Sequence, residues 1–276
     1  MNFKRKLAAA WTKNNSILSV GLDPDIEKLP RSITKSKNPL FEFNKAVIEA
    51  TADLVCAYKP NSAMYESYGA EGINQLKLTC DYLQANYPDI PVLLDFKRGD
   101  IGNTNNYYAK FAFEYLAVDA VTISPYMGKE ANEAYLAHKD KGIFILCRTS
   151  NPGAGEFQDQ KIGNKMLFEV VAKEVMTGWN YNSNCGLVVG SPYPNELSLL
   201  RNLVGDDVIF LVPGLGPQGG TIKETVLSSI NSTKTGVIIN SSRGVIYPGS
   251  GQDFADKIRS AAESVRDEIN EYRLRV

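Results

Sequence analysis

The chain has 276 residues, enough for one large α/β domain or two small ones. Hydrophobic residues make up 43% and charged residues 22%, the balance of a soluble globular protein. A formal net charge of −1 leaves no global positive field to draw nucleic acid or an anionic membrane, so an anionic ligand would need a local basic site.

In chain order, residues 3–14 read as a short amphipathic helix, with Phe3, Leu7 and Trp11 spaced by four. Lys4, Arg5 and Lys6 precede only a short apolar run, residues 7–11, too short for a signal-peptide core. A first strand over 17–22 ends in Asp23-Pro24, and the polar stretch 25–39 reads as a loop. A helix follows over 41–52, with Phe43, Val47 and Ala50 on one face. Residues 54–59 form the second strand, stopped by Pro60-Asn61, and 69–86 the next helix. The third strand begins after Pro91 and runs into charges. A helix over 107–116, a fourth strand over 120–124 and a helix over 128–137 come next. The fifth strand and its exit span 142–150, ahead of a Pro- and Gly-containing loop at 151–155 and a helix over 164–178. Strand six spans 185–190, a helix 194–202, strand seven 208–213, a helix 221–230, strand eight 236–240 and a long helix 252–272.

Eight continuous apolar strands alternating with helices fit a parallel sheet buried on both faces. Eight such units in this length predict a (β/α)8 barrel, one domain over residues 1–276. An open doubly wound sheet is the competing fold. No linker, solenoid repeat or low-complexity tract interrupts the chain, and no apolar run approaches the roughly 18 residues needed to span a bilayer. Cys56, Cys80, Cys147 and Cys185 form no Cys-x-x-Cys pair and read as buried thiols in a reducing, cytoplasmic compartment. His138 is the only histidine, which removes a His-rich metal site. Its polar stretch leads into strand five, so it is expected on the surface at the face opposite the chemistry.

Barrels carry function at the C-terminal strand ends. Those positions hold Asp23, Lys59, Asp95 with Lys97, Ser124, Thr149 with Ser150, Pro213 with Gly214, and Asn240 with Arg243. Asp95 and Lys97, two apart on a strand, are expected on one face, with Asp100 in the turn beyond Gly99. An ion-paired strand end is the plainer explanation of Asp-x-Lys, but burying such an array is costly unless every charge is paired. The loops after strands seven and eight, glycine-rich 214–220 and Ser241-Ser242-Arg243-Gly244, suit a phosphate: glycines admit backbone N–H groups and Arg adds a planar cation. Gln218 could close over it from outside. Gly214-x-Gly216-x-x-Gly219 matches a dinucleotide fingerprint in spacing only. It follows strand seven, contains Pro217 and lacks an acidic residue about 20 positions on.

The run Asp95-x-Lys97-x-x-Asp100-Ile101-x-x-Thr104 closely resembles the signature of the orotidine 5'-monophosphate decarboxylases, the last enzymes of UMP synthesis. The Arg-Thr-Ser-Asn-Pro-Gly-Ala run at 148–154 resembles their longer bacterial and protozoan branch. The resemblance implies a cofactor-free homodimeric barrel that decarboxylates orotidine 5'-monophosphate to UMP. It implies that Asp23 and Lys59 contact the ribose, and that Lys59, Asp95, Lys97 and Asp100 form the catalytic network. Asp100, Ile101 and Thr104 would reach into the neighbouring subunit's site. Ser150 rather than adjacent Thr149 would meet the pyrimidine. Gln218 and Arg243 would hold the phosphate with backbone near Gly219 and Gly244, and Pro213 completes the substrate-contact set. Two rivals stand beside this: an Mg2+-dependent sugar-phosphate aldolase or synthase of the same barrel superfamily, and a phosphate-ligand binding protein without catalysis.

Overall fold

In the computed structural model, which describes residues 1–215 and 219–275, the apolar runs become parallel strands. They are β1 (Leu18–Leu22), β2 (Ala57–Pro60), β3 (Leu93–Arg98), β4 (Ala120–Ile123), β5 (Gly142–Arg148), β6 (Cys185–Val189), β7 (Phe210–Pro213) and β8 (Val237–Ser241). Their order is β2-β1-β8-β7-β6-β5-β4-β3. The two end strands meet through the parallel bridges Tyr58↔Val92 and Asn61↔Asp95. There the Tyr58 N–H donates to the Pro91 carbonyl at 2.9 Å and the Ser62 N–H to that of Asp95 at 3.1 Å. That seam completes the (β/α)8 barrel and excludes the open sheet.

Each strand buries both faces, which is why the sequence shows runs rather than alternation. Leu18, Val20 and Leu22 of β1 point outward into the core shared with the helices. Ala57, Leu93, Ala120, Phe144, Val188, Leu211 and Ile238 pack together inside the barrel. Helix α1 (Phe3–Lys13) adds Phe3, Leu7 and Ala10 to this inner cluster and so forms its floor. Burial of side chains the size of Phe3 or Leu7 stabilises by about 1.5–3 kcal/mol each. The Phe3 ring meets Phe144 edge-on at 5.7 Å between centroids. A Cβ on Gly142 would lie 2.5 Å from the Phe3 ring, so only glycine at the start of β5 admits this floor.

The connecting helices fall close to their expected places: Pro39–Thr51, Gly69–Asn86, Asn103–Lys110, Gly128–Leu136, Leu167–Glu174, Pro194–Val204, Ile222–Ser229 and Phe254–Leu274. Two of them run on into a π-helical turn, over Phe111–Tyr115 and Val175–Trp179. The structure departs from the sequence reading in several places. β2 starts later than the apolar run 54–59, because the Leu54 N–H bonds to Thr51 O and finishes the preceding helix. The stretch 25–39 is not all loop: it holds a 3-10 turn, Ile26–Lys28, and a helical turn, Arg31–Thr34. A two-stranded hairpin, Lys161–Ile162 with Lys165–Met166, precedes the helix that follows β5.

All four cysteines are buried and free. His138 lies just before β5 and is half-buried rather than a plain surface residue, its ring 4.7 Å from that of Phe113. Among the described residues, no helix is long and apolar enough to cross a membrane.

Candidate active site

β2 and β3 bring Lys59 and Asp95 together at the C-terminal end of the barrel. Lys59 is 3% exposed and Asp95 9%. The Asp95 carboxylate bridges two ammonium groups, with Lys59 Nζ 3.0 Å from Oδ2 and Lys97 Nζ 2.6 Å from Oδ1. Lys97 stands farther out, its side chain 47% exposed at the mouth. Burial works to raise the pKa of Asp95, but the charges of Lys59 and Lys97 and their hydrogen bonds outweigh it and hold the carboxyl well below the usual carboxylate range. Burial likewise works against charge on Lys59, and Asp23 and Asp95 outweigh it, so its ammonium is held above the usual lysine value.

Asp23, at the end of β1, is fixed by its neighbours. Its Oδ1 accepts the Asn61 N–H at 3.2 Å, and its carbonyl accepts the Tyr247 hydroxyl at 3.0 Å.

β3 is not a regular strand where it carries the charges. Leu94 pairs with Val121 and Arg98 with Ile123, so Asp95, Phe96 and Lys97 stand opposite Thr122 alone. Lys97 adopts φ +48°, in the left-handed region that a non-glycine residue enters at a cost of roughly 1–3 kcal/mol. The buried Thr122 hydroxyl accepts from the Phe96 N–H at 2.9 Å and the Lys97 N–H at 3.0 Å. Two satisfied donors at about 0.5–1.5 kcal/mol each offset that cost. The same hydroxyl donates to Asp95 Oδ1 at 3.0 Å. The even spacing of Asp95 and Lys97 does bring their heads together, but through a bulge rather than the pleat.

The rest of the motif points away from this network. Asp100 makes no ion pair among the described residues; its Oδ1 accepts the Ile101 N–H at 2.7 Å. Asn105 holds the turn by accepting the Asp100 N–H at 3.2 Å and donating to its carbonyl at 2.6 Å. Ile101 is 62% exposed, and Thr104 is exposed in the first turn of Asn103–Lys110.

On the other side of the mouth, the two adjacent hydroxyls after β5 have different surroundings. Thr149 is engaged: its Oγ1 donates to Asn151 Oδ1 at 2.7 Å and accepts from Gln158 Nε2 at 2.9 Å. Ser150 instead lies against two glycines, where a Cβ on Gly190 or Gly214 would come within 2.8 Å or 3.3 Å of its own Cβ. Gly214 follows Pro213 with φ +105°, a conformation that favours glycine. The loop after β7 is anchored at its base by a Leu215↔Gly220 bridge, and the Gly220 N–H donates to Ser191 Oγ at 3.3 Å. Gly219 is exposed, and Gln218 lies outside the described residues. After β8, Arg243 and Gly244 open the helical turn Arg243–Ile246. Arg243 is exposed and makes no ion pair or side-chain hydrogen bond among the described residues.

Thr122, Asn61 and Tyr247 were not among the sequence candidates. Thr122 had a signal: it is the one polar side chain inside the apolar run 120–123. Asn61 acts through its backbone, and Tyr247 reaches Asp23 from the other end of the chain, which no local pattern reveals. Among the described residues, no group of three or more His, Cys, Asp or Glu is placed to hold a metal ion. The array offers a hydrogen-bonded ammonium facing an open mouth, with a separate cation and a glycine-rich loop across it.

A family model described as orotidine 5'-phosphate decarboxylase / HUMPS family matches residues 16–258. The orotidine 5'-phosphate decarboxylase of Ralstonia nicotianae is 48% identical over 273 residues, covering 99% of this chain and 100% of its own. The structure of Leishmania donovani OMP decarboxylase superposes with a TM-score of 0.86 at 36% identity, covering 99% of this chain and 100% of that one. Leishmania donovani UMP synthase superposes with a TM-score of 0.88 at 37% identity, and the chain covers 57% of that protein's length.

Proposed function

The chain belongs to the orotidine 5'-phosphate decarboxylase / HUMPS family, and on that premise we propose that it decarboxylates orotidine 5'-monophosphate to UMP, in de novo pyrimidine biosynthesis, with Lys97 as the proton donor. The observation that carries the reading is the Lys59–Asp95–Lys97 chain of ion pairs at the barrel mouth.

In the reaction the bond between C6 and the carboxylate breaks, its electron pair stays on C6, and CO2 departs. That pair lies in the ring plane, where the π-system cannot delocalise it, so the site must stabilise it electrostatically. The Lys97 ammonium supplies the positive charge and then passes one proton to C6, leaving a neutral amine that solvent reprotonates. Asp95 aims that ammonium, and Lys59 balances the charge of Asp95. Asp23 and Lys59 hold the ribose, Ser150 meets the pyrimidine, and Pro213 lines the mouth. Arg243, with Gln218 and backbone at Gly219 and Gly244, holds the phosphate, whose remote binding energy serves the chemical step.

Asp100, Ile101 and Thr104 complete the site of a second copy. Their outward placement supports this, as does the company of exposed Tyr107, Tyr126 and Met127 in the segments after β3 and β4. The whole chain, 1–276, acts as one barrel domain. Four buried free thiols support a cytoplasmic setting.

The test is the ultraviolet absorbance change on adding orotidine 5'-monophosphate with EDTA present. Conversion to UMP, abolished in Lys97→Ala, is the expected result. A folded Lys97→Ala with near-normal turnover would overturn the role of Lys97. Turnover that needs Mg2+ restored, with a sugar phosphate as substrate, would establish the aldolase or synthase reading instead.

A further inference from the structure

We propose that Thr122 is a positioning residue for the decarboxylation, holding Asp95 and the backbone of Lys97 in the geometry that aims the Lys97 ammonium. The inference rests on the reading of Lys97 as proton donor.

The argument begins with hydroxyl chemistry. A threonine oxygen has one proton to give and two lone pairs to fill. Here both acceptor directions are taken, by the N–H groups of Phe96 and Lys97. The hydroxyl proton is therefore committed to Asp95 Oδ1. A freely rotating hydroxyl would have three roles to choose among; this one has a single consistent orientation. Asp95 Oδ1 thus receives Thr122 and Lys97, while Oδ2 receives Lys59. The carboxylate is held by donors from three different strands.

The second effect is on the backbone. Three residues of β3 face one of β4, so the Phe96 and Lys97 N–H groups find their acceptor on the Thr122 side chain instead of the usual ladder carbonyls. Buried N–H groups must find an acceptor, and the bulge survives because Thr122 supplies one for both. Without it, the left-handed Lys97 loses the contact that over-determines it, and the ladder is free to relax toward ordinary pairing. Lys97 then starts from a different backbone, and an aiming error of about 1 Å can cost on the order of a hundredfold in rate. Thr122 itself is fully buried beneath the charges, so it acts through Asp95 and Lys97.

The experiment compares Thr122→Val, which keeps the shape and loses the hydroxyl, with Thr122→Ser, which keeps the hydroxyl. Steady-state kinetics, UMP binding and thermal melting are measured on each. Thr122→Val is expected to lose at least about tenfold in kcat with KM and UMP affinity little changed, and Thr122→Ser to stay within about threefold of the parent. A crystal structure of Thr122→Val should show Lys97 out of the positive-φ region. If Thr122→Val does not fold, Thr122→Ala carries the same expectations. A folded Thr122→Val or Thr122→Ala with near-parental kcat overturns the proposal, as does a Thr122→Ser as impaired as its hydroxyl-free counterpart. Lys97→Ala is assayed beside them: if it alone abolishes turnover, only this inference fails, and if it remains active, the reading of Lys97 fails first.

Discussion

Gly190 and Ser150 approach so closely that a Cβ on Gly190 would stand 2.7 Å from the Ser150 Cα and 2.8 Å from its N. β6 and β5 can deliver Ser150 to the mouth only because residue 190 has no side chain. Gly190→Ala therefore has to move the backbone of the β5 exit, at an overpacking cost of about 1–3 kcal/mol. The expected outcome is a lower melting temperature and a raised KM for orotidine 5'-monophosphate. Unchanged KM would separate Ser150 from the pyrimidine.

Asp95→Asn removes the hydrogen-bonded counter-ion of Lys59, itself 3% exposed, and leaves only the charge of Asp23 to oppose its burial. Breaking a buried pair by removing one partner costs about 3–5 kcal/mol. Chemical denaturation should show a loss of that size together with a collapse in kcat. The loss of stability is the sharper sign, since a pair that was only a solvated strand end would cost almost nothing.

The pH dependence of that difference follows from the depressed pKa of Asp95. An unfolded aspartate titrates near about 3.9, so the contribution of the ionised carboxylate is complete above that value. It is lost as pH falls toward the lower folded value. Lys59, with a raised pKa, keeps its share until pH climbs past the ordinary lysine range. The stability gap between the parent and Asp95→Asn should be flat from about pH 5 to 8 and narrow below about pH 4. A gap that closes already near neutrality would contradict the pairing.

Arg201 presents a case without chemistry. It is 8% exposed and meets carbonyls rather than carboxylates, donating to Ser229, Gly205, Val208 and Gly236 at 2.7–3.1 Å. Its guanidinium also lies 4.0 Å from the Phe210 ring. This ties the turns leading into β7 and β8. Arg201→Met should cost about 3 kcal/mol or more, because bonds from a charged donor are strong and their acceptors stay buried. Activity per folded molecule should hold below the melting temperature.

The barrel was readable because both strand faces are apolar, so each strand announced itself as a run, and Pro and Gly marked most exits. The limits of that signal show at Leu54 and Val55, which are apolar because they are buried, not because they are laddered. Lys59, Asp95 and Lys97 were readable as a charged cluster because each follows an apolar run and Asp-x-Lys matches a family motif, and the structure brings their side chains together. The geometry of the cluster was not. The left-handed Lys97 is imposed by a hydroxyl on the neighbouring strand, about 25 residues away in sequence, and no local pattern in 95–98 encodes it. Asp100, Ile101 and Thr104 stay legible only as a motif, because the hydrogen bonds they make among the described residues stay within the turn 100–105 and none reaches the charged network.

The floor of the barrel has a consequence for how the chain is made. Phe3, Leu7 and Ala10 are synthesised first, yet the surface they rest on includes Phe144, Val188, Ile209 and Ile238. That seat is complete only once β8 has been made, so a chain held short of β8 would leave part of the helix's apolar face uncovered.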